Sequence, residues 1–289
     1  MKVGIVGLGL IGGSLAKAYK RTDTEVLGYN RNKTTLGFAE ISGAVDGELT
    51  DDNIKDCDVI FICLTIDASV DWLRDHAGCF REGQIVMDCC GIKKRICDAG
   101  FRLAAENGFL FIGGHPMAGR QYGGFKNSRD DIFDGATMVL VTEHRDDIQL
   151  LARLKELLAP AGFGKLSFMT AEQHDDMIAF TSQMTHIAAN AFVKEEAKYP
   201  SGFPVGGSFR DFTRVADLNE NMWSDLILEN KEYLLKVLGN YIDELGRYKA
   251  AIEADDEETL KDLFRVGTQS KRTADLKSPV LTMEIQSKS

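Results

Sequence analysis

Three glycines, Gly7, Gly9 and Gly12, follow the apolar run at residues 2–6 in the spacing G-x-G-x-x-G, and they constrain this chain more than any other feature. A β-branched run, closely spaced glycines and then Leu15, Ala18 and Tyr19 at helical spacing read as a strand, a tight turn and a crossover helix. In that setting each glycine has its own task. Gly7 permits the turn, Gly9 lets a ligand approach the backbone, and Gly12 lets helix and strand pack closely. The helix start then turns unpaired N–H groups toward an anion, as the pyrophosphate of a dinucleotide requires. Gly7, Gly9, Leu10, Ile11 and Gly12 are therefore the expected cofactor-contacting residues.

The pattern after this motif supports the same reading. Strand signals at 2–6, 25–29, 59–64, 84–88, 110–113, 138–142 and around Leu166 alternate with helical spacing, which predicts an α/β fold: a Rossmann doubly wound parallel sheet. After Thr170 the strand signals stop, and Thr170 with Glu172 and Gln173 resembles a helix start. We therefore expect a nucleotide-binding domain over 1–169 and an all-helical substrate and dimerisation domain over 170–289. A helix over 171–194 carries Met177, Phe180, Met184 and Ile187 on an apolar stripe. Its other face, with Gln183, His186 and Asn190, reads as too polar for core. Pro200, Gly202 and Pro204 interrupt the pattern before a second long helix over 223–254.

The second strand ends in Tyr29, Asn30, Arg31 and Asn32, where an NAD site would place an acidic residue for the ribose hydroxyls. Asn30 removes repulsion toward a 2′-phosphate and Arg31 can pair with one, so the sequence favours NADP slightly over NAD. The net charge of −10 argues against a nucleic-acid surface, and no apolar run reaches the ~18 residues of a membrane span. The six cysteines lack paired metal or redox spacing and read as spectator thiols of a cytosolic protein, so no metal site is expected.

Two further clusters carry chemistry. His115 follows the run 110–112 and a glycine pair, on a loop at a strand's C-terminal end, where open α/β sheets bind ligands. A neutral imidazole there can take the proton released when a hydroxyl is oxidised, although a loop-capping histidine is the alternative. Arg210 and Arg214 lie four apart and share a helical face, a fork geometry suited to carboxylates or to surface pairing with Asp211 or Asp217.

Three stretches together, Gly7-Leu-Gly-Leu-Ile-Gly-Gly-Ser14, His115-Pro-Met-Ala-Gly119 and Gly207-Ser-Phe-Arg-Asp-Phe-Thr-Arg214 with Asn221-Met-Trp223, resemble the prephenate and arogenate dehydrogenase family over nearly the whole chain. The resemblance implies oxidative decarboxylation of prephenate, or of its amino analogue arogenate, with hydride transfer to NAD(P), within tyrosine biosynthesis. It implies His115 as the group meeting the ring hydroxyl, Arg214 at the substrate carboxylate with Arg210 beside it, and Trp223 and His186 lining the pocket. A homodimer through the helical domain is also implied. The chain departs from the family at Gly91, where a serine that helps orient the histidine is expected; either water, Cys90 or another group performs that task here, or the step depends on it less. His76, His144 and His174 read as surface or structural residues. Two rivals are another two-domain hydroxyacid dehydrogenase, whose helical-domain lysine motif is not found here, and a non-catalytic NAD(P)-binding sensor.

Overall fold

The first half of the chain alternates strand and helix: β1 (Lys2–Val6), α1 (Leu10–Tyr19), β2 (Glu25–Tyr29), α2 (Lys33–Ile41), β3 (Gly47–Glu48), β4 (Val59–Ile62), α3 (Ile66–His76), β5 (Ile85–Asp88), α4 (Lys94–Asn107) and β6 (Leu110–Pro116). There follow β7 (Thr137–Val141), α5 (Ile148–Leu158), β8 (Lys165–Phe168) and, near the C-terminus, β9 (Thr282–Glu284). The computed structural model describes residues 1–120, 122–200, 202–276 and 282–285. Val59–Ile62 and Ile85–Asp88 are buried at every position, as strands covered on both faces by crossover helices must be.

These strands form one sheet in the order β3-β2-β1-β4-β5-β6-β7-β8-β9. From β3 to β6 every pair is parallel, and the strand order reverses between β1 and β4. That reversal opens a crevice at the carboxyl ends of the two strands, the place where doubly wound sheets hold nucleotides. β6 departs from the parallel pattern: it pairs antiparallel with β7, with His115 opposite Val139. The strand signal, read from sequence as ending at Thr170, also returns. Thr282–Glu284 pairs antiparallel with β8, and Ile285 joins the core.

Thr170 and Gln173 form a reciprocal capping box at the start of α6 (Ala171–Ile178): Gln173 N donates to Thr170 Oγ1 and Thr170 N donates to Gln173 Oε1, each at 3.0 Å. The chain divides into two units at His174 and Asp175, with β9 belonging to the first. The second unit is helical: the end of α6, a π-helical segment Ala179–Met184, α7 (Thr185–Val193), α8 (Gly207–Thr213), α9 (Glu220–Glu229), α10 (Lys231–Glu253) and α11 (Glu257–Leu276). Two sequence expectations change here. The long helix over 223–254 is two helices broken at Asn230, whose buried side chain donates to Asp175 O (2.9 Å) and Gln183 Oε1 (2.8 Å). Gln183, read as too polar for core, is buried; it accepts from Asn230 and donates to Leu226 O at 2.8 Å, so its polarity is satisfied internally. No helix among the described residues is long and apolar enough to cross a membrane.

Candidate active site

Gly7, Gly9 and Gly12 occupy the three positions their spacing calls for. Gly7 has φ +93°, a left-handed backbone region, and a Cβ there would lie 2.6 Å from the Cys63 carbonyl oxygen after β4. A Cβ on Gly12 would collide with the Gly7 carbonyl oxygen and sit 3.1 Å from Cys63 Cβ, so glycine alone lets α1 start this close to the turn. At Gly9 nothing lies within 4 Å of the added Cβ; this residue caps α1 without a side-chain partner and leaves backbone open at the crevice. Leu10 and Ile11 are partly exposed beside it.

Asn30, at the end of β2, braces this loop. Its Oδ1 accepts from Leu8 N (3.0 Å) and its Nδ2 donates to Asn32 O (3.1 Å), while Asn32 caps α2. A carboxylate at position 30 could accept the first bond but not donate the second. Arg31 is exposed next to it. Burial pushes the Cys57 thiol up to about 12, which fits a spectator role.

His115 sits on β6 above a buried ion pair. Lys93, at the start of α4, is fully buried; it pairs with Asp88 at the end of β5 and donates to Gly114 O at 2.6 Å. Asp88 in turn accepts from Gly114 N (3.1 Å) and Cys90 N (2.8 Å). Burial alone would lower the Lys93 pKa, but the Asp88 charge outweighs it and raises it. This network fixes the backbone that carries His115. The imidazole is partly exposed, and its Nδ1 lies 2.8 Å from Nε2 of His174, the two rings meeting edge to face at 66°. No partner for His115 Nε2 is found among the described residues. Burial, then the His174 ring and the Lys93 ammonium, hold the His115 pKa well below the ordinary histidine value. His174 is the correction to the sequence reading, because it is fully buried and has a partner in the candidate base. No spacing rule marks it: it lies 59 residues from His115 and the two meet only through the fold. Cys90, one candidate for the orienting role left open by Gly91, contacts Ser69 Oγ (3.5 Å) and donates toward Leu64 O (3.8 Å) instead.

The remaining candidates lie in the second unit. Arg210 is on α8 and Arg214 caps its C-terminus, one turn apart through the Arg214 N to Arg210 O bond of 3.0 Å. His186 Nδ1 donates to Ser182 O at 2.8 Å, because a carbonyl can only accept, so Nε2 carries the lone pair in the neutral ring. Its ring rests on Trp223, with centroids 4.2 Å apart.

Family comparison resolves the class. The description "Prephenate dehydrogenase, nucleotide-binding domain" matches residues 15–165, and "Prephenate dehydrogenase, dimerization domain" matches residues 170–266. The chain belongs to the prephenate dehydrogenase family. It is 27% identical to the prephenate dehydrogenase of Lactococcus lactis subsp. cremoris, over 95% of this chain and 78% of the relative. The fold matches Synechocystis arogenate dehydrogenase with a TM-score of 0.79 at 27% identity, covering 95% of this chain and 99% of that one. It also matches A. aeolicus prephenate dehydrogenase, solved with hydroxyphenyl propionate and NAD+, with a TM-score of 0.79 at 26% identity, covering 94% and 98%. As a prephenate dehydrogenase family member, the chain is an oxidoreductase that uses a nicotinamide cofactor.

Proposed function

We propose that the protein oxidatively decarboxylates prephenate to 4-hydroxyphenylpyruvate, with His115 as the proton acceptor. The observation carrying this reading is the His115 ring itself. It is held neutral by burial, tied at Nδ1 to His174, and set at the end of β6 in the sheet that also carries the glycine turn. The three glycines fit a dinucleotide: the backbone at Gly9 is open where the pyrophosphate would approach, and the α1 N-terminus has uncapped donors. The nicotinamide, when bound there, supplies the hydride acceptor.

In this reading His115 takes the proton from the ring hydroxyl as the carbinol carbon loses its hydride. The bond from the ring to its carboxylate then breaks, carbon dioxide leaves, and the electron pair completes the aromatic ring while the proton returns to the oxygen. Arg214, with Arg210 beside it, holds the side-chain carboxylate, and His186 with Trp223 forms a wall of the substrate pocket. Asn30 in place of a carboxylate, and the exposed Arg31, favour NADP; NAD is the second choice, supported by the NAD+ complex of the A. aeolicus protein. Arogenate is the second substrate reading, because the Synechocystis neighbour is an arogenate dehydrogenase of equal similarity. We further propose a homodimer through the helical unit, whose Leu235, Ile242, Leu245, Ile252 and Phe264 are exposed in the single chain.

Absorbance at 340 nm with prephenate or arogenate and NAD or NADP, in all four combinations, tests the reaction. Reduction with prephenate is expected, faster with NADP. Silence in all four with cofactor binding intact overturns the proposal. In the active combination, Arg214→Ala should raise KM for the dianion far more than it changes cofactor affinity.

A further inference from the structure

The His115–His174 contact is a bond between two ring nitrogens 2.8 Å apart, and such a bond holds one hydrogen. It can run in either of two directions, with different chemical consequences. If His174 Nε2–H donates, neutral His115 must carry its own proton on Nε2 and has no lone pair left for a substrate. If His115 Nδ1–H donates, Nε2 of His115 is the lone-pair nitrogen and His174 is a neutral acceptor protonated at Nδ1.

We infer that His174 is a positioning residue that sets the tautomer of His115, accepting the His115 Nδ1 proton through its own Nε2 and so leaving His115 Nε2 free to take the substrate proton. The inference rests on the reading of His115 as the base. Three observations carry it. His174 is fully buried, so its ring cannot trade this bond for water. It comes from α6, held in place by the Thr170–Gln173 capping box four and one residues before it. In the loop after β5, position 91 is glycine and offers no side-chain rival, and Cys90 is engaged with Ser69 and Leu64.

A proton on His174 places Nε2–H against His115 Nδ1, drives the remaining His115 proton to Nε2 and silences the base. The Lys93 ammonium that acts on His115 is already paired with Asp88. A neutral acceptor also lets His115 become an imidazolium during turnover while keeping both of its N–H donors occupied or aimed at substrate.

The test uses the full-length protein with 15N-labelled histidine. Nitrogen NMR of the wild type should show His115 protonated at Nδ1 and unprotonated at Nε2, the signals assigned by their loss in His115→Asn; a His115 protonated at Nε2 overturns the inference whether or not the enzyme turns over. In kinetics, His174→Leu should lower kcat ~10- to 100-fold with little change in cofactor affinity. His174→Gln, whose amide oxygen lies near the position of Nε2, should recover most of that loss. Equal kcat for wild type and His174→Leu overturns the inference, and so does His174→Gln being as slow as a folded His174→Leu. Wild-type inactivity on both prephenate and arogenate would instead sink the proposed reaction, leaving the NMR result to decide the tautomer.

Discussion

The glycine turn makes a sharp contrast between two substitutions that add the same methyl group. At Gly9 an added Cβ meets nothing within 4 Å, and φ is −86°, a negative value that L residues adopt. Gly9→Ala should therefore leave the unliganded protein within about 0.5 kcal/mol of wild type. If a pyrophosphate lies against that backbone, the methyl group must displace it. An overpacking cost of about 1–3 kcal/mol corresponds to roughly 5- to 150-fold weaker cofactor binding. At Gly12 the methyl group collides with the Gly7 carbonyl oxygen and lies 3.1 Å from Cys63 Cβ, and neither backbone nor strand end can rotate away. Gly12→Ala should lose a similar 1–3 kcal/mol from the fold itself, about 2–12 °C in melting temperature, together with cofactor affinity. Thermal melts and a fluorescence titration with reduced cofactor measure both quantities. Unchanged cofactor binding in Gly9→Ala would refute the placement of the pyrophosphate, and an unchanged melting temperature in Gly12→Ala would refute the packing argument.

Other expectations follow from the same geometry. Because the His115 pKa is lowered on folding, the unfolded chain binds more protons between the folded value and ~6.5; stability from this group is complete above ~6.5 and lost as pH falls toward the folded value. Urea midpoints should thus show wild type losing stability relative to His115→Asn below that pH, and the acid limb of kcat/KM should fall below ~6.5. His115→Asn should reduce kcat ~10²- to 10⁴-fold with cofactor affinity retained, measured by steady-state kinetics and titration. Lys93→Met leaves the Asp88 carboxylate buried without its cation and should cost about 3–5 kcal/mol in urea unfolding. Asn230→Ala removes the amide that donates to Asp175 O and Gln183 Oε1, which should cost about 1–3 kcal/mol by the same assay.

What the sequence made legible was whatever local pattern determines. The long β-branched runs of β1, β4 and β5 are buried on both faces and announce themselves; so do the glycine turn and the capping box at Thr170. β3 and β9, two and three residues long, are too short to carry a period, and β9 is a strand only because β8 offers it an edge. The π-helical segment was equally hidden. Its extra residue per turn shifts the faces of the helix, so Phe180, expected on the apolar stripe, is 67% exposed while Gln183 enters the core. Asn230 breaks a helix without being glycine or proline, through bonds to residues 47 and 55 positions away. In each case the deciding interaction is long-range, and single-chain periodicity holds no trace of it.

The choice of a histidine as partner for His115 has a chemical consequence of its own. A carboxylate at the position of His174 would also accept the Nδ1 proton, but its charge would stabilise the imidazolium and raise the His115 pKa, filling the base with a proton near neutral pH. A neutral imidazole accepts the same bond without that charge, and the nearby Lys93 ammonium further opposes protonation. On the proposed assignment the site keeps the lone pair of His115 available at the cost of a weaker base. A weak base is sufficient for this reaction, because the proton is needed only transiently and aromatisation of the ring, with loss of carbon dioxide, supplies the driving force. His174→Asp should therefore move the acid limb of kcat/KM upward, opposite in direction to any loss of packing.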